Sequence, residues 1–466
     1  MTTGGRAGGT TIAGYAVMIG ATIGGFFVIR ELGSSLTAPP PAEAASFGSK
    51  GTSASAETLL HVLLALVVII VVARLLGAAF RYLNQPPVIG EVIAGILLGP
   101  SLLGRLAPGL SAYLLPSSVA PFLGILSQVG VILYMFLVGL ELDTTLLRKR
   151  AHTSVAISHA SIVAPFLLGA VLALWLYPRL SSSDVPFSAF ALFIGISMSV
   201  TAFPVLARIL TDRGMQKRPL GIIALACAAV DDVTAWCLLA FVVAVVQSAP
   251  ERVLPTLALT AVFIAAVFVL VRPAVGWFVR RRHAEPRQMM AVVFVALLVA
   301  ALLTEYIGIH AIFGAFLLGV VVPHDSELAS AVKQRLEDVV LVLLLPAFFA
   351  FTGMRTQIGL VNGAAEWLIC GLIVLVASLG KFGGTTLAAR WAGLDWRDSA
   401  SLGILMNTRG LMELIVLNVG LDLGVLSPAL FAMLVIMAVV TTLATTPILQ
   451  LLEPREDGAF AAARRA

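Results

Sequence analysis

Charged side chains are scarce in this sequence. Only 12% of its 466 residues are Asp, Glu, Lys or Arg, whereas soluble domains carry about 25%. Hydrophobic residues make up 59% of the chain, and the mean hydropathy is +1.01. This composition argues against a soluble domain and predicts a membrane protein with many spans. The net charge of +5 does not indicate nucleic-acid binding, because cytoplasmic loops of membrane proteins collect basic residues.

Cysteine is scarce as well. The three cysteines, Cys227, Cys237 and Cys370, all lie in apolar runs. Cys227 and Cys237 are separated by roughly 15 Å along one predicted helix, which is too far for a disulfide. No metal-ligand spacing accompanies them, so buried thiols are expected. The sequence predicts no cofactor.

The apolar segments predict fourteen membrane spans, at 11–29, 58–83, 87–103, 120–142, 154–177, 187–210, 220–247, 254–279, 288–306, 308–323, 337–353, 365–390, 398–420 and 428–451. Four regions follow from them: an N-terminal hydrophobic segment (1–33), a flexible linker (34–56), a transmembrane domain (57–452) and a short tail (453–466). The first segment is interpreted as a retained anchor rather than a cleaved signal peptide. The alternative cleavage site, "AEA" at 42–44, lies well beyond the apolar run.

Basic residues predict the orientation. One set of connections together with the tail holds 18 of them, whereas the alternate connections from the third span onward hold 4. The positive-inside rule then places the C-terminus in the cytoplasm of a multi-pass cell-membrane protein. The four exceptions are Arg105, Arg179, Arg252 and Arg355.

Two six-helix halves are predicted, formed by spans two to seven and nine to fourteen. The single span between them inverts the second half relative to the first. The fifth span of each half is interrupted, by "GISMSVTAFPVLARIL" (195–210) and "GILMNTRGLMELIVL" (403–417). Interruptions at matching positions predict a transport site near the bilayer midplane. Ordinary helix kinks are the alternative.

Two adjacent carboxylates, Asp231 and Asp232, interrupt the apolar run 220–246. Each costs about 2.5–3.5 kcal/mol at the centre of a membrane helix. Lys381 is the one lysine inside a predicted span. Neighbouring residues point about 100° apart on a helix, so one aspartate can face a cavity while the other faces Lys381. A purely structural Asp–Lys bridge explains only one aspartate.

Other intramembrane charges have two interpretations each. Arg409 and Glu413, at i and i+4 beside the second interruption, form either a structural ion pair, which is favoured, or part of the ion path. Glu91 either lines an entrance or makes a local structural pair. Glu305 and His310 flank a helix turn, where a satisfied polar pair is favoured over a pH sensor.

Eight motifs in order resemble the monovalent cation:proton antiporter 2 family, and the resemblance covers about residues 57–452. They are "QPPVIGEVIAGILLGPSLLG" (85–104), "GVILYMFLVGLELD" (130–143), "SVTAFPVLARIL" (199–210), "AAVDDVTAW" (228–236), "GIHAIFGAFLLG" (308–319), "LPAFFAFTGMRT" (345–356), "KFGG" (381–384) and "NTRGLMEL" (407–414). They are most similar to bacterial sodium/hydrogen exchangers and plant cation/proton exchangers.

The resemblance implies an all-α fold: a 13-helix antiporter core with six-helix inverted repeats and two crossed unwound helices, plus the extra N-terminal segment. It also implies a homodimer. Asp232 resembles the essential ion- and proton-binding aspartate, and Asp231 resembles the preceding residue, which is often aspartate in electrogenic members. Lys381 resembles the lysine that pairs with the first aspartate, and Thr201 lies at the unwound crossover.

The sequence therefore predicts a secondary active antiporter that exchanges Na⁺ or K⁺ for protons, electrogenically and by alternating access. Cation and protons would compete for the paired aspartates, so the transported cation is the only metal expected there. A symporter or channel-like permease on the same scaffold is the main alternative. An intramembrane aspartyl protease is less favoured, because its two aspartates must converge from separate helices. A receptor is a further alternative.

Overall fold

The computed structural model describes residues 4–37, 56–141, 151–216, 218–247, 250–281, 286–323 and 326–452, which form helices and turns without strands. The helices are α1 Gly4–Gly33, α2 Ala56–Tyr82, α3 Pro87–Leu98, α4 Leu103–Leu106, α5 Pro108–Leu114, α6 Ala120–Glu141, α7 Ala151–Leu180, α8 Phe187–Ser199, α9 Phe203–Asp212, α10 Pro219–Gln247, α11 Pro250–Ala266, α12 Arg272–Arg281, α13 Pro286–Ile307, α14 Ala311–Val321, α15 Glu327–Val339, α16 Leu345–Arg355, α17 Ala364–Trp391, α18 Trp396–Met406, α19 Leu411–Asp422 and α20 Pro428–Leu452. Wider π-helical turns at Val267–Val271 and Val340–Leu344 join α11 to α12 and α15 to α16.

The number of membrane crossings agrees with an all-α polytopic fold. Within the described ranges, 12 helical segments are long and apolar enough to cross a membrane, and the pair α18–α19, bent by 44°, brings the number to 13. The predicted span 308–323 is shorter in the structure. Its helix α14 has 11 residues and a length of about 16 Å, against about 30 Å of hydrocarbon.

Two predicted boundaries are wrong because local chain chemistry differs from the hydropathy pattern. α14 starts late because His310 adopts a positive φ of 75° immediately before it. The span predicted to start at residue 337 is preceded by continuous helix from Glu327, where Ser326 accepts a hydrogen bond from Ala329 N–H as the helix cap. Lys333, predicted in a loop, therefore lies within α15.

The helices pack as two bundles. The scaffold bundle contains α2–α6 and α13–α16, the first three spans of each half, and the core bundle contains α7–α10 and α17–α20, the last three. Most close helix pairs lie within one bundle, with α11–α12 between the halves. Each half therefore contributes its first three spans to the scaffold and its last three to the core, as the predicted inverted repeat requires.

Glycine contacts show the repeat directly. The second helix of each half crosses the third helix of the other half: α3 meets α16 at Gly95 and Gly353, and α14 meets α6 at Gly319 and Gly139. A Cβ added at any of these four positions would overlap the partner backbone. Each crossing thus joins the second helix of one half to the third helix of the other. The two halves are therefore equivalent in packing as well as in the order of their helices.

The N-terminal helix α1 packs on α7 and α8 of the core bundle. The rings of Tyr15 and His159 lie 5.1 Å apart, and those of Phe26 and Phe166 lie 6.0 Å apart. Residues 38–55 of the predicted linker and the whole predicted tail, 453–466, lie outside the described residues. Retention of the first segment as an anchor stays a prediction.

Candidate functional site

The first interruption separates α8 from α9. α8 ends at Ser199, and Val200 is extended with φ −70° and ψ 137°. Pro204 lies in the first turn of α9. Because proline lacks an N–H and its ring conflicts with the carbonyl four residues earlier, here that of Val200, Pro204 disfavours a regular helix through this segment.

The second interruption, residues 407–410, separates α18 from α19 and lies against the first. Ala202 N–H donates to the Thr408 carbonyl at 3.0 Å. The Thr201 hydroxyl oxygen also lies 3.0 Å from the Met406 carbonyl oxygen. A backbone N–H released by the first interruption is therefore satisfied by a carbonyl of the second, and such pairing is how non-helical backbone survives at membrane depth. The predicted crossing of two unwound helices is present.

Gly410 permits the crossing because the two chains approach closely there. A Cβ at this position would lie 2.7 Å from Val205 Cγ2 on α9, well inside van der Waals contact. Val205 is β-branched and has little rotamer freedom on a helix, so it cannot easily turn away. The glycine in "NTRGLMEL" is thus required by packing.

Asp231 on α10 forms an ion pair with Lys381 on α17. Lys381 Nζ lies 2.8 Å from Asp231 Oδ2, and both side chains are 0% exposed. The same ammonium donates to the Ser199 carbonyl at 2.5 Å and lies 3.5 Å from Ser161 Oγ. The lysine therefore joins the Asp231 carboxylate to the broken end of α8.

Three hydroxyl groups also donate to the Asp231 carboxylate. Thr201 Oγ1 lies 2.7 Å from Oδ2 and Ser161 Oγ lies 3.0 Å from it, while Ser158 Oγ donates to Oδ1. Ser158 and Ser161 were not predicted as site residues. Their i, i+3 spacing in "SHAS" places both hydroxyls on one face of α7, a weak signal because serines in membrane helices often bond their own backbone.

Asp232 lies in different surroundings. It is 1% exposed, and neither carboxylate oxygen has a hydrogen-bond partner among the described residues. A nearby donor is the first backbone N–H of α9, that of Phe203, but its contact with the carboxylate falls short of hydrogen-bond geometry. An unpartnered buried carboxylate is costly, so this position is suited to an exchangeable ion or proton.

Arg409 and Glu413 form a second buried pair, on the segment that follows α18. Arg409 Nη1 lies 2.5 Å from Glu413 Oε2, and both side chains are 0% exposed. The guanidinium also donates to the carbonyls of Ser197 at 2.7 Å and Met198 at 2.6 Å. Lys381 donates to the next carbonyl, that of Ser199. Two cationic side chains therefore hydrogen-bond three successive carbonyls at the C-terminal end of α8, where the helix dipole favours positive charge.

The other two predicted acidic residues lie elsewhere. Glu91 on α3 is in the scaffold bundle, where Arg74 and Arg81 are the charged side chains that act on it. Glu305 is exposed, and its Oε2 accepts a hydrogen bond from Ala311 N–H at 2.8 Å, which caps α14. The structure does not bring either one to Asp231 and Asp232.

A cavity of about 320 Å³ separates scaffold from core at the end of the molecule that holds Glu305. Its lining includes His310, Arg355, Asn418 and Asp422. Arg355 bridges the bundles, at 2.5 Å from Asp422 Oδ1 and 3.1 Å from Asn418 Oδ1. Glu305 is therefore at the edge of a polar cleft between the bundles.

Among the described residues, no three His, Cys, Asp or Glu side chains cluster closely enough to hold a metal ion together. A cation at the crossing would depend on one carboxylate together with hydroxyl, amide and carbonyl oxygens, which are the ligands that hard cations prefer.

Comparison with known proteins decides the family. The family described as sodium/hydrogen exchanger, transmembrane, matches residues 59–451. The chain belongs to this family. It is therefore a multi-pass membrane protein of the cation:proton antiporters, which are transporters and not enzymes. This removes the protease alternative, in agreement with two aspartates that diverge from a single helix.

Relatives of this exchanger-family protein include the "Na(+)/H(+) antiporter NhaS4" of Synechocystis sp., which is 45% identical over 85% of the chain and 98% of the relative. "Cation/H(+) antiporter 20" of Arabidopsis thaliana is 38% identical over 81% of the chain, and "K(+)/H(+) antiporter 1" of Saccharomyces cerevisiae is 34% identical over 83%. The chain spans 47% and 46% of the lengths of these two relatives.

The fold also agrees with a solved structure. The sodium proton antiporter MjNhaP1 from Methanocaldococcus jannaschii superposes with a TM-score of 0.62 over 86% of this chain and all of that chain. The sequence identity is 16%, so this likeness concerns the fold alone.

Proposed function

We propose that this family member exchanges Na⁺ or K⁺ for protons by alternating access, with cation and proton competing for Asp232. The observation that carries the proposal is that Asp232 is buried beside the crossing with both carboxylate oxygens unpartnered among the described residues. Either a proton or a cation would neutralise the group, whereas the empty carboxylate is unfavourable at this depth.

Further oxygen atoms at the crossing support this proposal. Asn407 Oδ1 and Thr408 Oγ1, in the second interruption, are buried and lack hydrogen-bond partners among the described residues. Thr408 is joined through its carbonyl to Ala202, next to the Phe203 N–H that acts on Asp232. Carboxylate, amide and hydroxyl oxygens are the ligands expected for a hard monovalent cation.

The coupled exchange is proposed to be electrogenic, and the Asp231–Lys381 pair offers two routes to the second proton. In one, Asp231 itself releases a proton when the cation binds. In the other, Lys381 pairs with Asp231 only while the cation is absent and carries the second proton itself. Each net charge moved is worth about 2.3 kcal/mol per 100 mV of membrane potential.

The bundle arrangement supports alternating access. The carboxylates, Lys381 and both interruptions belong to the core bundle, whereas the polar cleft of about 320 Å³ lies between core and scaffold. Movement of the core relative to the scaffold would expose Asp232 to one side at a time. A channel would not require this movement, whereas a symporter would, so the direction of proton movement must separate symport from antiport.

Two relatives are named for Na⁺ and K⁺, respectively, and the proposal keeps both ions. Purified protein in liposomes containing a pH dye would be titrated with Li⁺, Na⁺, K⁺ and Rb⁺. We expect an outward cation gradient to acidify the lumen and Asp232→Asn to abolish the response. Asp395→Asn is the matched control, because asparagine also caps a helix at this exposed N-cap of α18. Cation and proton movement in the same direction would instead indicate symport.

Electrogenicity has its own test. With Na⁺ as substrate and fixed K⁺, valinomycin clamps the potential across the liposome membrane, and the exchange rate should respond to it. Lys381→Gln then separates the two routes: the variant stays electrogenic if Asp231 carries the second proton, and becomes electroneutral or inactive if lysine does. A wild-type rate that ignores the potential, with transport itself limiting, contradicts the two-proton proposal.

A further inference from the structure

A second cavity, of about 260 Å³, lies at the opposite end of the molecule from Glu305, between the C-terminal ends of α2, α9 and α20. Its polar lining consists of Arg81, Asn84, Gln85, Arg208, Arg213, Thr446 and Gln450. Three of the described lining residues are arginines, and none of the described lining residues is acidic. At about 30 Å³ per water molecule, the space accommodates a phosphate group with part of its hydration.

The wall of this arginine cavity on the scaffold side is a well-defined turn. α2 ends at Tyr82. In the turn that follows, Asn84 has a left-handed φ of 55°, and Gln85 N–H donates to the Phe80 carbonyl at 2.8 Å. Such a cap fixes the position of the residues around it. Arg81 is in the last turn of α2.

The wall on the core side is built in the same way. α9 is followed by Gly214, whose φ is 65°, and Met215 N–H donates a hydrogen bond to the Leu210 carbonyl at 2.8 Å. Arg213 Nη2 donates to the Thr446 carbonyl at 3.3 Å, which ties this turn to α20. The arginine cavity is thus lined by fixed helix ends.

The cavity joins the two bundles. Arg81 and Gln85 belong to the scaffold, whereas Arg208 and Arg213 belong to the α9 end of the core. Gln85 Nε2 already reaches across to the Leu443 carbonyl of α20 at 3.3 Å. A ligand bound to both sets of arginines would hold scaffold and core together at this end.

The charges favour an anion as the ligand. Each arginine separately is explained by the positive-inside rule or by a helix C-terminus, but neither explains why three from two bundles surround one cavity. A concentration of positive charge repels the transported cation, so the cavity is unsuited to be its entrance. Glu91 lies near enough to Arg81 for their charges to interact but does not line the cavity. Arg208 and Arg213 have further contacts of their own.

The surroundings of the cavity point to a phosphate group in particular. Arginine presents a planar fork of donors that matches phosphate oxygens. Close by, Tyr82, Leu83 and Leu451 are 88%, 61% and 82% exposed, as expected for side chains that meet lipid. An anionic phospholipid headgroup and free inorganic phosphate share the required chemistry.

We propose that the arginine cavity binds a phosphate-type anion that bridges scaffold and core on the cytoplasmic face. Bridging would slow the core movement; this consequence rests on the proposed function, whereas the binding itself does not.

Binding is measured by thermal unfolding of the detergent-purified full chain, with phosphatidylglycerol or inorganic phosphate added, because a ligand of the native state raises the midpoint. We expect a rise in wild type and about a tenfold or greater loss of affinity in Arg81→Gln, since a charge-assisted hydrogen bond is removed. Arg390→Gln, an exposed arginine of the same topological side that does not line the cavity, should behave as wild type.

Gln450→Glu is a second variant, in case Arg81→Gln does not fold. It places a carboxylate at an exposed lining position and should also weaken binding. A rise with phosphatidylglycerol alone identifies a lipid headgroup, and a rise with inorganic phosphate at equal ionic strength identifies a free anion. No rise with either, or equal rises in the cavity variants, overturns the site.

The bridging consequence is measured by exchange in liposomes with and without the anion that binds. We expect slower exchange in wild type and Arg390→Gln, and a smaller effect in Arg81→Gln. An unchanged wild-type rate despite a thermal shift overturns bridging. Absence of exchange in every sample, with the thermal shift retained, would count against the proposed function and leave the binding result standing.

Discussion

Asp231 and Asp232 are adjacent on α10 and both buried, yet among the described residues only the Asp231 carboxylate accepts hydrogen bonds. It pairs with Lys381 at 2.8 Å and accepts hydrogen bonds from three hydroxyls, whereas neither oxygen of Asp232 accepts one among the described residues. The 100° rotation between neighbouring helix positions thus places two identical side chains in different surroundings, and the proposed function assigns the exchangeable cation to Asp232.

The Asp231–Lys381 pair should be strongly coupled in stability. Asp231→Asn or Lys381→Met alone leaves one buried charge unpaired, which costs about 3–5 kcal/mol. The double variant removes both charges and should be destabilised by less than the sum of the two single variants. Thermal unfolding of all four proteins in one detergent gives the coupling energy. Additive effects would show that the ion pair does not form.

Arg409 should matter more for stability than Glu413. Glu413→Gln leaves the contacts from Arg409 to the Ser197 and Met198 carbonyls in place. Arg409→Met removes both, and each hydrogen bond to a charged group is worth about 1.5–3 kcal/mol. The unfolding midpoint of Arg409→Met should therefore lie below that of Glu413→Gln. The reverse order would mean that the pair, and not the helix end, is the main role of Arg409.

The close crossing at Gly410 should be sensitive to one methyl group. Gly410→Ala should lower exchange by displacing α9, and Val205→Ala in the same chain should restore much of it, because the Cβ would otherwise meet Val205 Cγ2 at 2.7 Å. Gly383→Ala is the control, since a Cβ there meets nothing within 4 Å. If Val205→Ala did not restore exchange to the Gly410→Ala protein, contact with Val205 would not be the cause of the lost activity.

The predicted topology can be tested with single cysteines in a chain whose three native cysteines are replaced by serine. A cysteine at Ala461, in the tail, should resist an impermeant thiol reagent in intact cells. A cysteine at Ser183, exposed between α7 and α8, should be labelled. The opposite pattern would invert the orientation derived from the 18 and 4 basic residues.

Several features could be predicted from sequence because they depend on local chemistry. Pro204 favours the first interruption, and the rarity of intramembrane charge singles out Asp231, Asp232 and Lys381. Hydropathy could not reveal that α14 is short, because the turn at His310 is itself within an apolar stretch. Nor could it show which aspartate Lys381 contacts, since that depends on the rotation of α10 against α17.

Features that depend on convergence in space were not predictable. Ser158 and Ser161 are ordinary helix residues until α7 packs beside α10. Likewise, Arg81 and Arg208 are separated by more than a hundred positions and each has a local explanation. Only the packing of scaffold against core brings them to one cavity.

The central claim, that cation and proton compete for Asp232, is tested most directly by proton release from purified protein in a weakly buffered detergent solution. Addition of saturating Na⁺ or K⁺ to the wild type should release protons detected by a pH dye, and Asp232→Asn should release none while remaining folded. Asp395→Asn should release as many protons as the wild type. Equal release from Asp232→Asn, or cation binding to the wild type without release, would contradict the account.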